Sequence, residues 1–290
     1  MTKLRTAILT DSTCDIPREL LRKYRIHVIP QVIIWGEESY LDRVEISPSE
    51  FYHRLAEEDG LPSTTQPSPA AFKETYEEIF AQGADQILVF TVSSAMSGTY
   101  QLAARVASEL EKPIRVVDSK APTMSLGWQV LAAARAREEG LGMEAMVTEA
   151  DRVRKSLTQI VYLNTLKYLH QGGRIGKAAM WLGSLLNFKP LVSINHQTGL
   201  VEGAGRARTH HGGVDMMWQL FLKSFQPHTP SHIAVLHGNA PREAEELADR
   251  IQREIQPREL IINITGPVLG INTGPGALAL CGYARHEEGD

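Results

Sequence analysis

Only two cysteines occur in the 290 residues, Cys14 and Cys281, and they stand far apart. That excludes a disulfide framework, and the pair reads as reduced thiols of a cytoplasmic protein. No apolar run approaches the roughly 18 residues that a membrane span needs. The opening MTKLRTAILTDST turns polar too early for a secretory signal. Positive charge is not in excess either. A net charge of −4 argues against a nucleic-acid-binding surface. There is no HExxH and no cysteine pair at zinc spacing, so a metal site has no support in the sequence. Gly176–Lys177 lacks the upstream glycine and the following Ser or Thr of a phosphate loop. Ser97 has Ala95, not glycine, two residues before it, which breaks the nucleophile-elbow pattern. The adjacent His210 and His211 would point different ways on a helix and read as exposed or structural. Repeats, low-complexity segments and linkers are absent.

What is present is ordinary globular composition, 43% hydrophobic and 22% charged, over a length suited to two domains. Short apolar runs alternate with helical spacings in the first half. Thr6 to Thr10 predicts a buried strand, and Pro17 opens a helix to about Tyr24. Ile26 to Trp35 reads as a single strand, with Pro30 marking an edge or a bulge. Ser47 to Glu50 is a capping box with Pro48 at the first helical position. Leu61 to Phe72, with three prolines and four hydroxyls, reads as a stiff polar connector before a helix from Ala70 to about Ala81. Strands over Ile87 to Val92 and Ile114 to Asp118 follow, with helices after each. The alternation predicts an N-terminal α/β domain with a mainly parallel sheet.

The second half changes character. Ile160 to Asn164 predicts a strand, and Thr165 to Phe188 two helices split by Gly172 and Gly173. Leu191 onward suggests a hairpin turning at Gln197 to Gly199. A helix near Gly213 to Phe225, a strand, a helix and a last strand at Leu260 to Thr265 complete an α+β unit with a mixed or antiparallel sheet. We expect an N-terminal domain over residues 1–160, a C-terminal one over 161–290, and a ligand cleft between them.

The most informative stretch is Thr91 to Leu110. A buried strand enters it and an amphipathic helix leaves it. Between them stand Ser93, Ser94, Ser97, Gly98 and Thr99. In an open parallel sheet ligands bind beyond the carboxyl ends of the strands. A helix N-terminus there offers unpaired N–H groups and a positive dipole end. Two readings fit: a cradle for the polar head of a ligand, or a helix cap with spare serines. Asp11, Ser12 and Thr13 lie at another strand end and suggest a second wall. Hydroxyls and amides suit a carboxylate or a phosphate, and no base or nucleophile accompanies them. An alternative is a phosphotransfer or hydrolytic enzyme that holds phosphate on the Ser97 turn and on Gly274 to Gly276. That last segment matches a dinucleotide fingerprint by letters, but no βαβ unit follows it.

Six motifs occur in order: ILTDSTCDIP (Ile8 to Pro17), PSTTQPSP (Pro62 to Pro69), SSAMSGTY (Ser93 to Tyr100), VVDSK (Val116 to Lys120), LKYLHQGGRIG (Leu166 to Gly176) and TGPGALAL (Thr273 to Leu280). Together the chain resembles the DegV family of bacterial fatty-acid-binding proteins over nearly its whole length. The resemblance implies two α/β domains with a long-chain fatty acid between them. It implies no catalysis by this chain and no cofactor beyond the bound lipid. Thr64 and Ser97 fall on the hydroxyls that would hold the carboxylate, with the Gly98 N–H assisting. Arg174 falls on the family's GGR arginine, for head-group electrostatics or partner docking. Many members carry histidine where this sequence has Asn272, which donates hydrogen bonds but cannot be cationic. Some members serve as the acyl-carrier subunit of a fatty acid kinase, presenting the carboxylate to a separate ATP-binding subunit. Lipid exchange implies transient membrane contact, and a mobile helix near Ala178 to Leu186 would open the route.

Burial of each CH₂ is worth about 0.8 kcal/mol, so roughly fourteen give on the order of 11 kcal/mol before ordering costs. The tail would supply affinity and the hydroxyls orientation. Met180, Trp181, Leu182, Leu185, Leu186, Phe188 and Ile194 are the expected tail contacts, with ordinary core as the alternative.

Overall fold

A computed structural model of the chain describes residues 4–58, 60–181, 188–226 and 228–284. Strands β1 (Thr6–Asp11), β2 (Ile26–Ile29), β6 (Gln86–Thr91) and β7 (Ile114–Asp118) form a four-stranded parallel sheet in the order β2-β1-β6-β7. Successive residues of β1 and β6 serve opposite faces, as the pleat requires. Leu9, Ile87 and Val89 pack on helices α3 (Pro69–Ala81) and α4 (Thr99–Glu109). Ile8, Leu88 and Phe90 pack on α5 (Thr123–Glu138).

α5 carries buried residues on every side, Met124, Leu126, Trp128, Val130 and Leu131 among them. A helix apolar all round belongs in an interior. It lies between the parallel sheet and a second, six-stranded one, sharing a core with residues of both. The helix α6 (Met143–Ser156) covers it from outside.

The second sheet runs β10-β9-β8-β13-β11-β12. Its strands are β8 (Leu157–Tyr162), β9 (Lys189–Asn195), β10 (Leu200–Ala207), β11 (His232–His237), β12 (Glu259–Ile264) and β13 (Leu278–Tyr283). Only β11 and β12 pair in parallel; the rest are antiparallel. Helices α8 (His210–Lys223) and α9 (Pro241–Glu254) pack on its far face. The protein is thus a two-domain α/β fold with a parallel and a mixed sheet.

Several expectations need correction. Ile26 to Trp35 is two strands in two sheets. β2 ends before Pro30, and β3 (Val32–Trp35) turns away into a small antiparallel sheet, β4-β3-β5, with β4 (Glu38–Leu41). Proline has no N–H for a ladder, so the chain breaks there. The connector Leu61 to Phe72 contains β5 (Ser63–Thr65), whose Thr64 pairs with Ile33. Three polar residues show no apolar alternation, so this strand left no periodic trace. α8 begins at His210, because the Thr209 side chain caps it by accepting from Gly212 N–H. The segment after Gly266 contains α10 (Pro267–Thr273) and then β13, a central strand. Thr165 to Phe188 holds a short α7 (Lys167–Gln171) and a 3₁₀ turn, Gly176–Trp181; residues 182–187 lie outside the described residues. The capping box at Ser47 and Glu50 forms as read and starts α2 (Pro48–Glu57). No helix among the described residues is long and apolar enough to cross a membrane.

Candidate functional site

The seam between the sheets encloses a cavity with about 1010 Å³ of space free of atoms, its open mouth included. Strands β8, β9 and β10 supply Val161, Val192, Ile194 and Val201 to its wall, Leu163 follows β8, and α10 supplies Val268 and Leu269. Polar residues gather in a few places. Thr64, Thr65 and Gln66 come from β5 and the residue after it; Ser97 precedes α4; Arg174 follows α7; Asn272 and Thr273 end α10. Four of the five residues singled out from sequence, Thr64, Ser97, Arg174 and Asn272, therefore share one cavity. Gly98, the fifth, is exposed and is not part of the wall; it is the N-cap of α4.

The local chemistry at Ser97 favours donation. Gln31 Nε2 donates to Thr99 Oγ1 at 3.0 Å, and Thr99 Oγ1 lies 2.8 Å from Ser97 Oγ. Thr99 can pass its own proton to Ser97, which leaves the Ser97 O–H free to donate into the cavity. α4 has no side-chain cap at Gly98, so part of its first turn keeps unpaired N–H groups. Thr13, on the predicted second wall, also lines the cavity. Its hydroxyl and N–H both serve Asp11, which also accepts from Val92 N–H at 2.7 Å. Burial raises the Asp11 carboxyl above its usual range, against these hydrogen bonds.

Arg174 joins the two halves. Its Nε donates to Met96 O at 3.2 Å and its Nη1 to Gly172 O at 2.5 Å, so the guanidinium is fixed beside the Ser97 turn. Asn272 Nδ2 donates to Val268 O at 3.0 Å, one turn back in α10. One N–H of that amide remains, and Oδ1 is buried without a partner among the described residues. The domains are latched elsewhere by Ser93 Oγ on Gly199 O at 2.9 Å and Lys120 Nζ on Gln197 O at 3.0 Å.

The chemistry that is missing also bears on the site. Gly274 N–H donates to Gly270 O and Gly276 N–H to Gly238 O. Both amides are spent, and Gly274 ends a helix instead of starting one. The phosphate reading of that turn is therefore overturned. His196 Nε2 lies 3.0 Å from Ser125 Oγ, a pairing that resembles a catalytic dyad. Yet Ser125 Oγ also donates to Gln159 Oε1 at 2.6 Å and is fully buried. His196 then serves as donor to the hydroxyl, and burial, aided by Arg154, lowers its pKa to about 4. Cys14 and Cys281 are buried thiols pushed up to about 12 by burial. Among the described residues no group of three His, Cys, Asp or Glu could hold a metal ion.

The expected tail contacts divide. Ile194 lines the cavity. Met180 is 79% exposed, which removes it from the tail wall. Trp181 stacks its ring over Gly203, with the Arg206 guanidinium 5.5 Å from the ring centre, and Phe188 also lies under Arg206. Neither ring is in the wall. Leu182, Leu185 and Leu186, with most of the proposed mobile helix, lie outside the described residues. Sequence reasoning missed Gln31, Thr123, Gln159, Thr265 and Thr273 in the wall. A signal existed for two of them: Gln31 and Gln159 are single amides inside apolar strand runs, IPQVII and TQIVY.

Fold and site together define a two-domain α/β protein with an apolar slot between its sheets and hydroxyls in its wall. The chain belongs to the DegV family. The family model, described as an uncharacterised protein of the DegV family, matches residues 5–285. A DegV domain-containing protein of Halalkalibacterium halodurans is 32% identical over 285 residues, covering 98% of this chain and 99% of the relative. A solved DegV family protein of Thermus thermophilus, described by its fatty acid binding, is 32% identical with a TM-score of 0.86, covering 97% of this chain and 100% of that one. DegV of Bacillus subtilis, described as a fatty acid binding protein, is 27% identical with a TM-score of 0.87, covering 97% and 100%.

Proposed function

We propose that this protein binds a long-chain fatty acid in the slot, with residues 1–160 and 161–290 as its two walls. The carboxylate is held by Thr64 and Ser97, helped by the unpaired N–H groups in the first turn of α4 and by Asn272, while Arg174 supplies positive charge at the rim. The observation that carries this reading is the meeting of four of those residues at one apolar cavity. The fatty acid binding described for the Thermus thermophilus and Bacillus subtilis proteins supports it.

Neutral O–H and N–H donors hold a carboxylate without burying a second charge. They also tolerate its conversion to an acyl phosphate. The protein then acts as a non-catalytic acyl carrier in the cytoplasm, presenting the acid end to a separate ATP-binding kinase subunit and meeting membranes only in passing. It needs no cofactor beyond the lipid.

Extraction and mass spectrometry of the purified protein test the reading. A long-chain fatty acid at near one per chain is expected. Protein that carries none and also ignores added palmitate or oleate would refute it.

A further inference from the structure

Gln31 stands in the break between β2 and β3, is 3% exposed and lines the cavity. Its backbone is held on both sides. The N–H donates to Ser12 Oγ at 3.1 Å, and the carbonyl accepts from Asp42 N–H at 2.9 Å. The side chain therefore grows from a fixed root. Its Nε2 donates to Thr99 Oγ1 at 3.0 Å. The neighbouring Asp11 carboxyl settles which end of the amide faces this way. Asp11 accepts from Thr13 N–H, Thr13 O–H and Val92 N–H. Burial raises that carboxyl, and hydrogen bonds that include one from the Gln31 side chain oppose the rise. The NH₂ group fits against such an acceptor; a carbonyl oxygen would be repelled by it.

The protons can then be counted along the chain. Thr99 is fully buried. Among the described residues its hydroxyl meets only the Gln31 amide and Ser97 Oγ, the latter at 2.8 Å. The amide N–H can only donate, so it takes a lone pair of Thr99. The Thr99 proton is left with one acceptor, Ser97 Oγ. If Ser97 donated instead, Thr99 would receive two protons and keep its own in the core with no acceptor, which is costly. Ser97 Oγ also accepts from Thr99 N–H at 3.3 Å. Both its lone pairs are spent, and only its proton is left for the slot. Bonds in such a chain polarise one another, so each donation strengthens the next.

We propose that Gln31 is a positioning residue for the ligand: acting through Thr99, it fixes the Ser97 hydroxyl as a donor, so that the slot favours a head group that only accepts, the ionised carboxylate, over one that must also donate, such as a primary amide. This rests on the fatty-acid reading above, with Ser97 at the head group, and adds to it the residue that selects the head group's class.

Dissociation constants for stearate and for stearamide, which shares the acyl chain but carries two N–H groups, measure the selection. The wild type should favour stearate. Gln31→Met keeps the length of the side chain and removes the first donor; it should lower the stearate-to-stearamide ratio roughly threefold. Gln31→Glu sets an acceptor against Thr99 and turns the chain round; it should lower the ratio by about tenfold or more. A new charge near a carboxylate would do part of this unaided, so both substitutions are repeated in Thr99→Val, which cuts the chain and keeps the shape. There they should change the ratio by less than about twofold, because the interaction they act through is gone. Each variant is first checked for a native melting transition. If Gln31→Glu does not fold beside Asp11, Gln31→Met completes the cycle alone. An effect of Gln31 that is the same with and without the Thr99 hydroxyl belongs to charge or packing and overturns the proposal. So does a ratio that neither substitution at Gln31 moves. A wild type that binds no stearate sinks the underlying reading as well, and stearate affinity separates the two failures.

Discussion

Asn272 Oδ1 lies directly against the Cα of Gly172, so close that a Cβ on Gly172 would overlap it. This contact joins the end of α10 to the glycine pair before Arg174. The two glycines are there for different reasons. Gly172 has φ −71°, which any residue adopts, so its lack of a side chain serves only to admit Asn272. Gly173 has φ 71° and open space around it, so it serves the backbone. Gly172→Ala is expected to push Asn272 out of place and weaken fatty acid binding about tenfold. Gly173→Ala should cost about 1–2 kcal/mol of folding stability with a smaller effect on binding. Melting curves beside binding titrations separate the two.

The carboxylate hydroxyls can be removed without touching the core. A hydrogen bond to a charged group contributes about 1.5–3 kcal/mol. Thr64→Val with Ser97→Ala should therefore lower affinity by one to three orders of magnitude, while the melting temperature stays near that of the wild type. Unchanged affinity in a fluorescent fatty acid displacement assay takes both residues out of the site.

Asp42 gives a pH signature. Burial raises its carboxyl from 3.8 to about 7, with Asp15 and Asp11 adding to the rise and Ser12 and Arg43 opposing it. The folded chain then holds a proton between about pH 4 and pH 7 that the unfolded chain has released. The stability this supplies is present at low pH and is lost as pH rises through 7. Asp42→Asn should gain on the wild type by a few kcal/mol between pH 5 and pH 8, read from urea midpoints. A constant difference across that range means that Asp42 does not titrate there.

His196 titrates in the opposite sense. Burial and Arg154 lower it from 6.5 to about 4. Between those values the unfolded chain takes up a proton that the folded chain refuses, so stability is complete above pH 6.5 and falls as pH falls towards 4. His196→Gln should flatten that acid limb by roughly 3 kcal/mol. An unaltered limb would assign acid sensitivity elsewhere.

Much of the N-terminal domain was legible because its signals are local. Apolar runs at Thr6 and Ile87 mark strands, and Ser47 with Glu50 or Ser68 with Pro69 mark helix starts; each is settled within one turn of chain. The placement of β13 was not legible. The last strand read from the sequence is Leu260 to Thr265, yet Leu278–Tyr283 becomes a central strand because β8 and β11 both lack a partner on that side. Pairing of that kind belongs to distant segments and leaves no mark in a short window. Thr64 shows the same limit: its hydroxyl was visible, but the strand that carries it exists only because β3 is there to bond it.

The amino-acid sequence by itself determined the alternation of strands and helices, the hydroxyl-rich turn before α4, and the lack of any metal or nucleophile motif. Those features follow from side-chain periodicity and capping, which act over a few residues. Tertiary structure alone decided that Thr64, Ser97, Arg174 and Asn272 meet, that Met180 stays outside, and that Gln159 lines the slot. These outcomes depend on how two sheets close around α5. The packing of distant apolar faces drives that closure, and the order of residues encodes it only through the finished fold.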